Sequence, residues 1–451
     1  MRKENMQRIT VLSCLAVIVG TFCNVSNTFA AQAKYHFAYI TFKESGQSSI
    51  NLVDPNQPLQ LEIHPIDTQN TIVLDVSNSV TSQWLALSYS QNANVMRLIN
   101  TTTWETRDIA QGVFPILVHG ASGQFAAWSP NGNSLAFLMR QGNVFDAYMY
   151  SLADKKLFNL TDGTIDNESL VWSSDSAQLA VGSGTCNGQN DCNLAIDVFD
   201  ASTHQRRQRV DLSKSSAGQL TEGSVCALAW SPNLRYLSFV PKCGIGEVSR
   251  GQVMGSEVFI WDLQTGKITA LTNFITGKPT RPDVSYVEGK YHLFWYDAQT
   301  LLVGAIYGSN LGPMQIRTVA YQFPDGTGRD LTTTAIGELA INPASKELAF
   351  REVSSVDTDF KVKAASARTS AFNNGTLQTI ADINDSSACD FSWSPDGAYL
   401  AYTRHTGSDC STPVQSIVFR DSTSSKTFEQ ALPSTKGTVY DRIVPVGWVS
   451  G

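Results

Sequence analysis

Short segments in which apolar and polar residues alternate run along the whole chain, and four of them follow one template. Ala127-Trp128-Ser129-Pro130-Asn131-Gly132 leads into Leu135-Ala136-Phe137, and Val171-Trp172-Ser173-Ser174-Asp175 into Leu179-Ala180-Val181. Ala229-Trp230-Ser231-Pro232-Asn233 leads into Leu237-Ser238-Phe239, and Ser392-Trp393-Ser394-Pro395-Asp396-Gly397 into Leu400-Ala401-Tyr402. Each closing triplet has period two, which sets its large side chains on one face of a strand. Ser-Pro-Asp/Asn-Gly suits a type I turn, with Ser opening it, Pro fixing φ and Gly leaving it. The unit is a tight hairpin with a Trp at its base.

Weaker copies fill the intervals. Leu339-Ala340-Ile341-Asn342-Pro343 precedes Leu348-Ala349-Phe350, and Leu293-Phe294-Trp295-Tyr296-Asp297 precedes Leu301-Leu302-Val303. Leu74-Asp75-Val76-Ser77-Asn78 precedes Trp84-Leu85-Ala86-Leu87. Aligned on the Trp position, the copies fall at 76, 128, 172, 230, 295, 341 and 393. Further strands lie between them, such as Glu257–Asp262 and Ile268–Leu271 around a Gln264-Thr265-Gly266-Lys267 turn, so a repeat reads as four strands. Four strands at a period of about 40 to 55 residues predict an all-β β-propeller. Ile443–Trp448 has the pattern of the strand before the turn, and Tyr35–Ile40 that of the strand after it. Their pairing would form a composite blade and close the ring, removing two open sheet edges. Seven internal copies plus this one make eight blades, or seven if the long 230–295 interval or the weak first copy is misread. Trp128, Trp172, Trp230 and Trp393, with Trp448 at the chain end, are expected in the core between blades.

These hairpins, with the Asp262-Leu263-Gln264-Thr265-Gly266-Lys267 turn and Leu271-Thr272, resemble the TolB-type propeller repeat, a cousin of the WD40 repeat. The resemblance covers nearly the whole chain after residue 33 and implies the fold. It implies little about function, since such blades occur in partner-binding periplasmic proteins, in prolyl oligopeptidase-like peptidases and in lyases. TolB itself resembles an α/β domain followed by a six-bladed ring, whereas here the repeats begin at once. A peptidase of this type would carry an α/β-hydrolase domain, and no Gly-x-Ser-x-Gly elbow occurs in the sequence.

Composition narrows the setting. The 451 residues are 42% hydrophobic and 16% charged with a net charge of -7, enough to build a large core and without a basic patch for nucleic acid or anionic membranes. Arg2, Lys3 and Arg8 followed by apolar Ile9–Val19 read as a signal peptide over residues 1–30, cleaved after Ala30 or Ala33. The run is too short for a membrane span. A secreted or periplasmic protein, monomeric and consisting of one propeller domain over 34–451, is therefore expected. Cys14 and Cys23 leave with the signal, and an even six remain, which outside the cytosol reads as disulfides. Repeat register pairs Cys226 with Cys243 and Cys389 with Cys410, both first members lying four residues before a Trp. Cys186 and Cys192 then staple the loop between them.

Candidate chemistry is sparse. His36, His64, His119, His204, His292 and His405 show no metal-ligand spacing, and there is no phosphate-binding or calcium loop. No catalytic residue, metal or cofactor is assigned on this basis. Trp104 lies outside the Trp register and is a candidate for exposure. Asn100, Asn159 and Asn374 begin chance matches to the glycosylation sequon. The sequence points to a non-enzymatic scaffold that binds a protein or glycan partner through blade loops, with Gly182–Asn193 and Cys243–Ser256 the first places to look. The alternative is a hydrolase or lyase with a site assembled in the central funnel.

Overall fold

The computed structural model describes residues 35–450 except for 44–46, 58–60, 68–71, 80, 91–93, 112–114, 117–126, 162, 164–166, 187–191, 213–223, 244–251, 256, 273–286, 310–313, 358–360 and 439–440. The expected signal segment lies outside the described residues. Eight antiparallel sheets of four strands form a ring, one of them extended by a fifth strand. Blade 1 joins the two ends of the chain, with Arg442–Ser450 innermost, then Tyr35–Phe42, Gln47–Val53 and Leu61–Asp67. Phe37 stands opposite Trp448 and Thr41 opposite Ile443, so the closure expected from the two terminal segments is present. Blades 2 to 8 follow in chain order. Their inner strands are Ile72–Asn78, Pro115–Ile116, Asn167–Trp172, Ser224–Trp230, Val287–Trp295, Ala335–Ile341 and Ala388–Trp393. These first strands lie against one another around the axis, while the fourth strands form the rim.

The core lies between blades rather than within them. Each of the eight seams has its own apolar cluster; Trp172, Phe137 and Leu179 lie in clusters spanning blades 2 to 4, and Phe419, Phe37 and Trp448 join blade 8 to blade 1. This placement explains the period-two pattern without a polar face: both faces of an inner strand meet a neighbouring blade.

The repeated tryptophans have a second role. Trp128 Nε1 donates to Ser77 O at 3.3 Å, Trp172 to Ala127 O at 3.1 Å, and Trp230 to Val171 O at 3.2 Å. Trp295 donates to Ala229 O at 3.2 Å and Trp448 to Ser392 O at 3.1 Å. Where the preceding blade has its own Trp at this position, the acceptor is the residue just before it, so the indoles form a ladder that stitches seam to seam. The same register corrects the first copy: Ser79 N donates to Trp84 O as Ser129 N does to Ser134 O, which makes Asn78, not Val76, the counterpart of the Trp.

The turn chemistry is explained as directly. Ser129 Oγ donates to Asn131 Oδ1 and accepts from Ser134 N, and Ser173, Ser231 and Ser394 repeat the pattern with Asp175, Asn233 and Asp396. Gly397 has φ +73°, and a Cβ there would collide with Asn342 of blade 7, so its place needs both the left-handed backbone and the missing side chain.

Candidate functional site

Antiparallel order separates the ring into two faces. Connections from first to second and from third to fourth strands emerge on one face; short turns there include 173–177, 201–205 and 394–398, while in blade 3 the connection spans 117–133. The others emerge on the opposite face, and the longest of them, 212–223, 244–258 and 271–286, are consecutive around blades 5 and 6. From the second, Gln252–Gly255 leaves blade 5 and pairs with the inner strand of blade 6, Gln252 opposite His292 and Gly255 opposite Gly289. The expectation that insertions gather on one face thus has a definite location, and Cys243–Ser256 is part of it.

The densest polar constellation lies on the inner strands of blades 7 and 8. Glu338 and Asp390 each sit three residues before the Trp position, at a β-bulge with φ of 50° and 54°. That left-handed conformation is costly for a residue with a side chain, and bulges re-aim the residue they carry. Asp390 N donates to Glu338 Oε2 across the seam at 2.9 Å. Asp390 Oδ2 accepts from Thr403 Oγ1 at 2.7 Å and lies 3.3 Å from His405 Nε2. His405 is fully buried, and its Nδ1 lies 2.5 Å from Thr412 O, so this nitrogen carries a proton.

Cys389 and Cys410 are joined by a disulfide beside this network, as the repeat register predicts, with a Cα–Cα distance of 5.9 Å. The bridge ties the loop after Tyr399–His405 to the inner strand. Arg351 of blade 7, 3% exposed, places Nη1 3.4 Å from Cys389 Sγ and against Cys410 Sγ. A Glu338 carboxylate oxygen lies within 4.8 Å of both sulfurs, so an acid and a guanidinium from blade 7 converge on a bridge of blade 8. Below it, Arg404 pairs with Asp385 and Glu429, each at 2.6 Å. Burial acts to raise the Asp385 pKa, but hydrogen bonds from Ser387 and Arg404 outweigh it and hold the carboxyl below its ordinary range. Burial pushes the neighbouring Tyr402 hydroxyl up to about 12.

The other sequence candidates are dispersed. Cys186 stands directly opposite Cys192 in the hairpin of blade 4. In blade 5, Ser224 takes the place opposite Cys243, and Cys226 falls opposite Val240, because a bulge intervenes. The side chains of these four cysteines lie outside the described residues, and their two bridges stay expectations. Trp104 is half-buried, not displayed: it occupies the left-handed position of a turn and stacks on His64 at 3.3 Å, as His204 stacks on Phe158 at 3.7 Å. Asn100 and Asn159 also serve the fold, Asn100 Oδ1 accepting from Thr102 and Thr103 N, and Asn159 Nδ2 donating to buried Asp146. Sequence reasoning missed Glu338, Asp390 and His405, because the residues meet only when two blades pack. The one signal was their register, with Glu338 and Asp390 both three residues before the repeat position.

Eight blades on a closed ring define the class of protein: an eight-bladed β-propeller. No protein family matches the chain, and no curated relative does. Solved structures do. A prolyl endopeptidase superposes with a TM-score of 0.48 at 10% identity over 83% of this chain, which spans about half the length of that protein. A eukaryotic initiation factor reaches 0.51 at 12% identity, covering 91% of this chain and 89% of its own. The dihydro-heme d1 dehydrogenase NirN, solved with its ligand, reaches 0.51 at 10% identity over 88% and 74%. At such identities these likenesses establish the fold alone.

Proposed function

We propose that this protein is an exported, TolB-like propeller scaffold that binds a protein or glycan partner on its loop face, over blades 5 and 6. The observation that carries this reading is that three long connections, 212–223, 244–258 and 271–286, join consecutive strands around blades 5 and 6 at the same face. Repeat folds tolerate insertions where they face solvent, and insertions concentrated on adjacent repeats form binding surfaces. The test is capture of partners from the exported fraction by the wild type and by a variant with 273–286 replaced by a four-residue turn. The scaffold reading expects the same melting temperature and loss of the wild-type partner. Undiminished capture by the variant, or no partner for either protein, would overturn it.

A specific observation favours a second reading, a hydrolase or lyase working at the blade 7–8 seam. Glu338, Asp390 and His405 bring two carboxylates and an imidazole together from two blades, the composition of a general acid–base site. Glu338→Gln and Asp390→Asn would then abolish turnover of a polymeric sugar or peptide substrate panel while leaving loop-face binding intact. A serine nucleophile is not part of this reading, so a fluorophosphonate probe is expected to leave the protein unlabelled.

A further inference from the structure

The seam between blades 7 and 8 combines three features. First, the indole ladder is interrupted there. Blade 7 has Ile341 at the Trp position, and Trp393 Nε1, in a side chain 8% exposed, makes no hydrogen bond among the described residues. Second, the third strand of blade 7, Val362–Asn373, carries Ala367-Arg368-Thr369 where its counterparts in blades 5 and 8 carry Phe259-Ile260-Trp261 and Ile417-Val418-Phe419. Its Thr369 hydroxyl, fully buried on the face toward blade 8, also lacks a partner among the described residues. Buried donors without partners destabilise a packed interface, and small side chains give it little apolar area. Third, polar groups span this seam where the indole is absent: Asp390 N to Glu338, Arg351 to the sulfurs of Cys389 and Cys410, and Asn342 Nδ2 to Gly397 O at 3.0 Å.

We infer that the Cys389–Cys410 disulfide is a redox clasp on the seam between blades 7 and 8. The bridge fixes the 406–413 loop, whose Thr412 carbonyl holds His405; His405 and Thr403 hold Asp390, and Asp390 N holds Glu338 of blade 7. Reduction by a dithiol breaks the S–S bond with uptake of two electrons and two protons. It yields the Cys389 and Cys410 thiols, while the dithiol becomes its own disulfide. The loop is then free of the inner strand, the anchor of His405 is lost, and Arg351 faces two separate sulfurs instead of one fixed bridge. The groups that this chain of contacts links belong to blades 7 and 8, so the change is local.

Amide hydrogen exchange by mass spectrometry tests this on the oxidised protein, the dithiol-reduced protein and Cys410→Ser. Peptides covering 335–341, 388–393 and 399–405 are compared with 84–90 and 134–141 of the blade 2–3 seam. The clasp predicts exchange faster by roughly tenfold or more at the first group in both altered forms, with the second group unchanged. Unchanged exchange at blades 7 and 8, or acceleration spread evenly around the ring, would overturn it. Reduced wild type carrying Cys186→Ser and Cys226→Ser separates the clasp from the other cysteines: the local acceleration must persist there. If Cys410→Ser does not fold, the reduced wild type decides by the same criterion.

Discussion

The indole ladder allows an internal comparison in which one substitution is made at two equivalent places. Trp172→Phe and Trp393→Phe each remove the same ring atoms from a well-buried site. The shared cost is the lost burial and residual cavity, about 2 kcal/mol for a side chain that shrinks without vanishing. They differ in one bond. Trp172 Nε1 donates to Ala127 O at 3.1 Å, and the substitution leaves that buried carbonyl short of a partner; Trp393 Nε1 has no partner among the described residues to lose. A buried acceptor stranded in this way costs about 1–3 kcal/mol. Removing an unpartnered buried donor gives back part of its own desolvation penalty. Trp172→Phe is therefore expected to be more destabilising than Trp393→Phe by about 1–3 kcal/mol. Urea denaturation followed by far-ultraviolet circular dichroism, with slopes compared to exclude a change in the unfolded state, measures the difference. Equal losses, or a larger loss at Trp393, would refute the claim that the ladder contributes beyond its apolar contacts.

Three further outcomes are expected. Deleting 442–451 removes the strand opposite Tyr35–Phe42 and the Trp448–Ser392 bond, so the melting temperature should fall sharply and the monomer should aggregate through its open edge; an unchanged transition would contradict the closure. Asp385 has a lowered folded pKa, so its stabilisation is present above the unfolded value of about 3.9 and is lost as pH falls through the lower folded value. Asp385→Asn should hence reduce stability at pH 7 and lose its effect as pH falls through the lowered folded pKa, as melting scans across pH will show. Non-reducing peptide mapping should recover Cys389 joined to Cys410, and peptides joining Cys226 to Cys243 and Cys186 to Cys192; a Cys226–Cys389 peptide would contradict the register.

The fold was legible because a propeller repeats one local solution. Trp, Ser, Pro, Asn or Asp and Gly each answer a constraint within a single hairpin, and such constraints are written in adjacent residues. The Cys389–Cys410 bridge was legible for the same reason, since both cysteines flank one hairpin. Where a repeat had lost its Trp, the pattern misled by two residues, and only the Ser79–Trp84 hydrogen bond showed that Asn78 holds the place. The sequence alone thus determined the all-β class, the blade, the ring closed by its own termini and the turn face. Tertiary structure alone decided which residues meet between blades: the indole bonds, the Glu338–Asp390–His405 cluster, Arg351 on the bridge, and the crossing of Gln252–Gly255 into blade 6. The physical reason is range. A turn or a strand is selected by forces among neighbours in sequence, whereas a seam brings together residues some fifty positions apart, and their contact depends on how two finished blades pack.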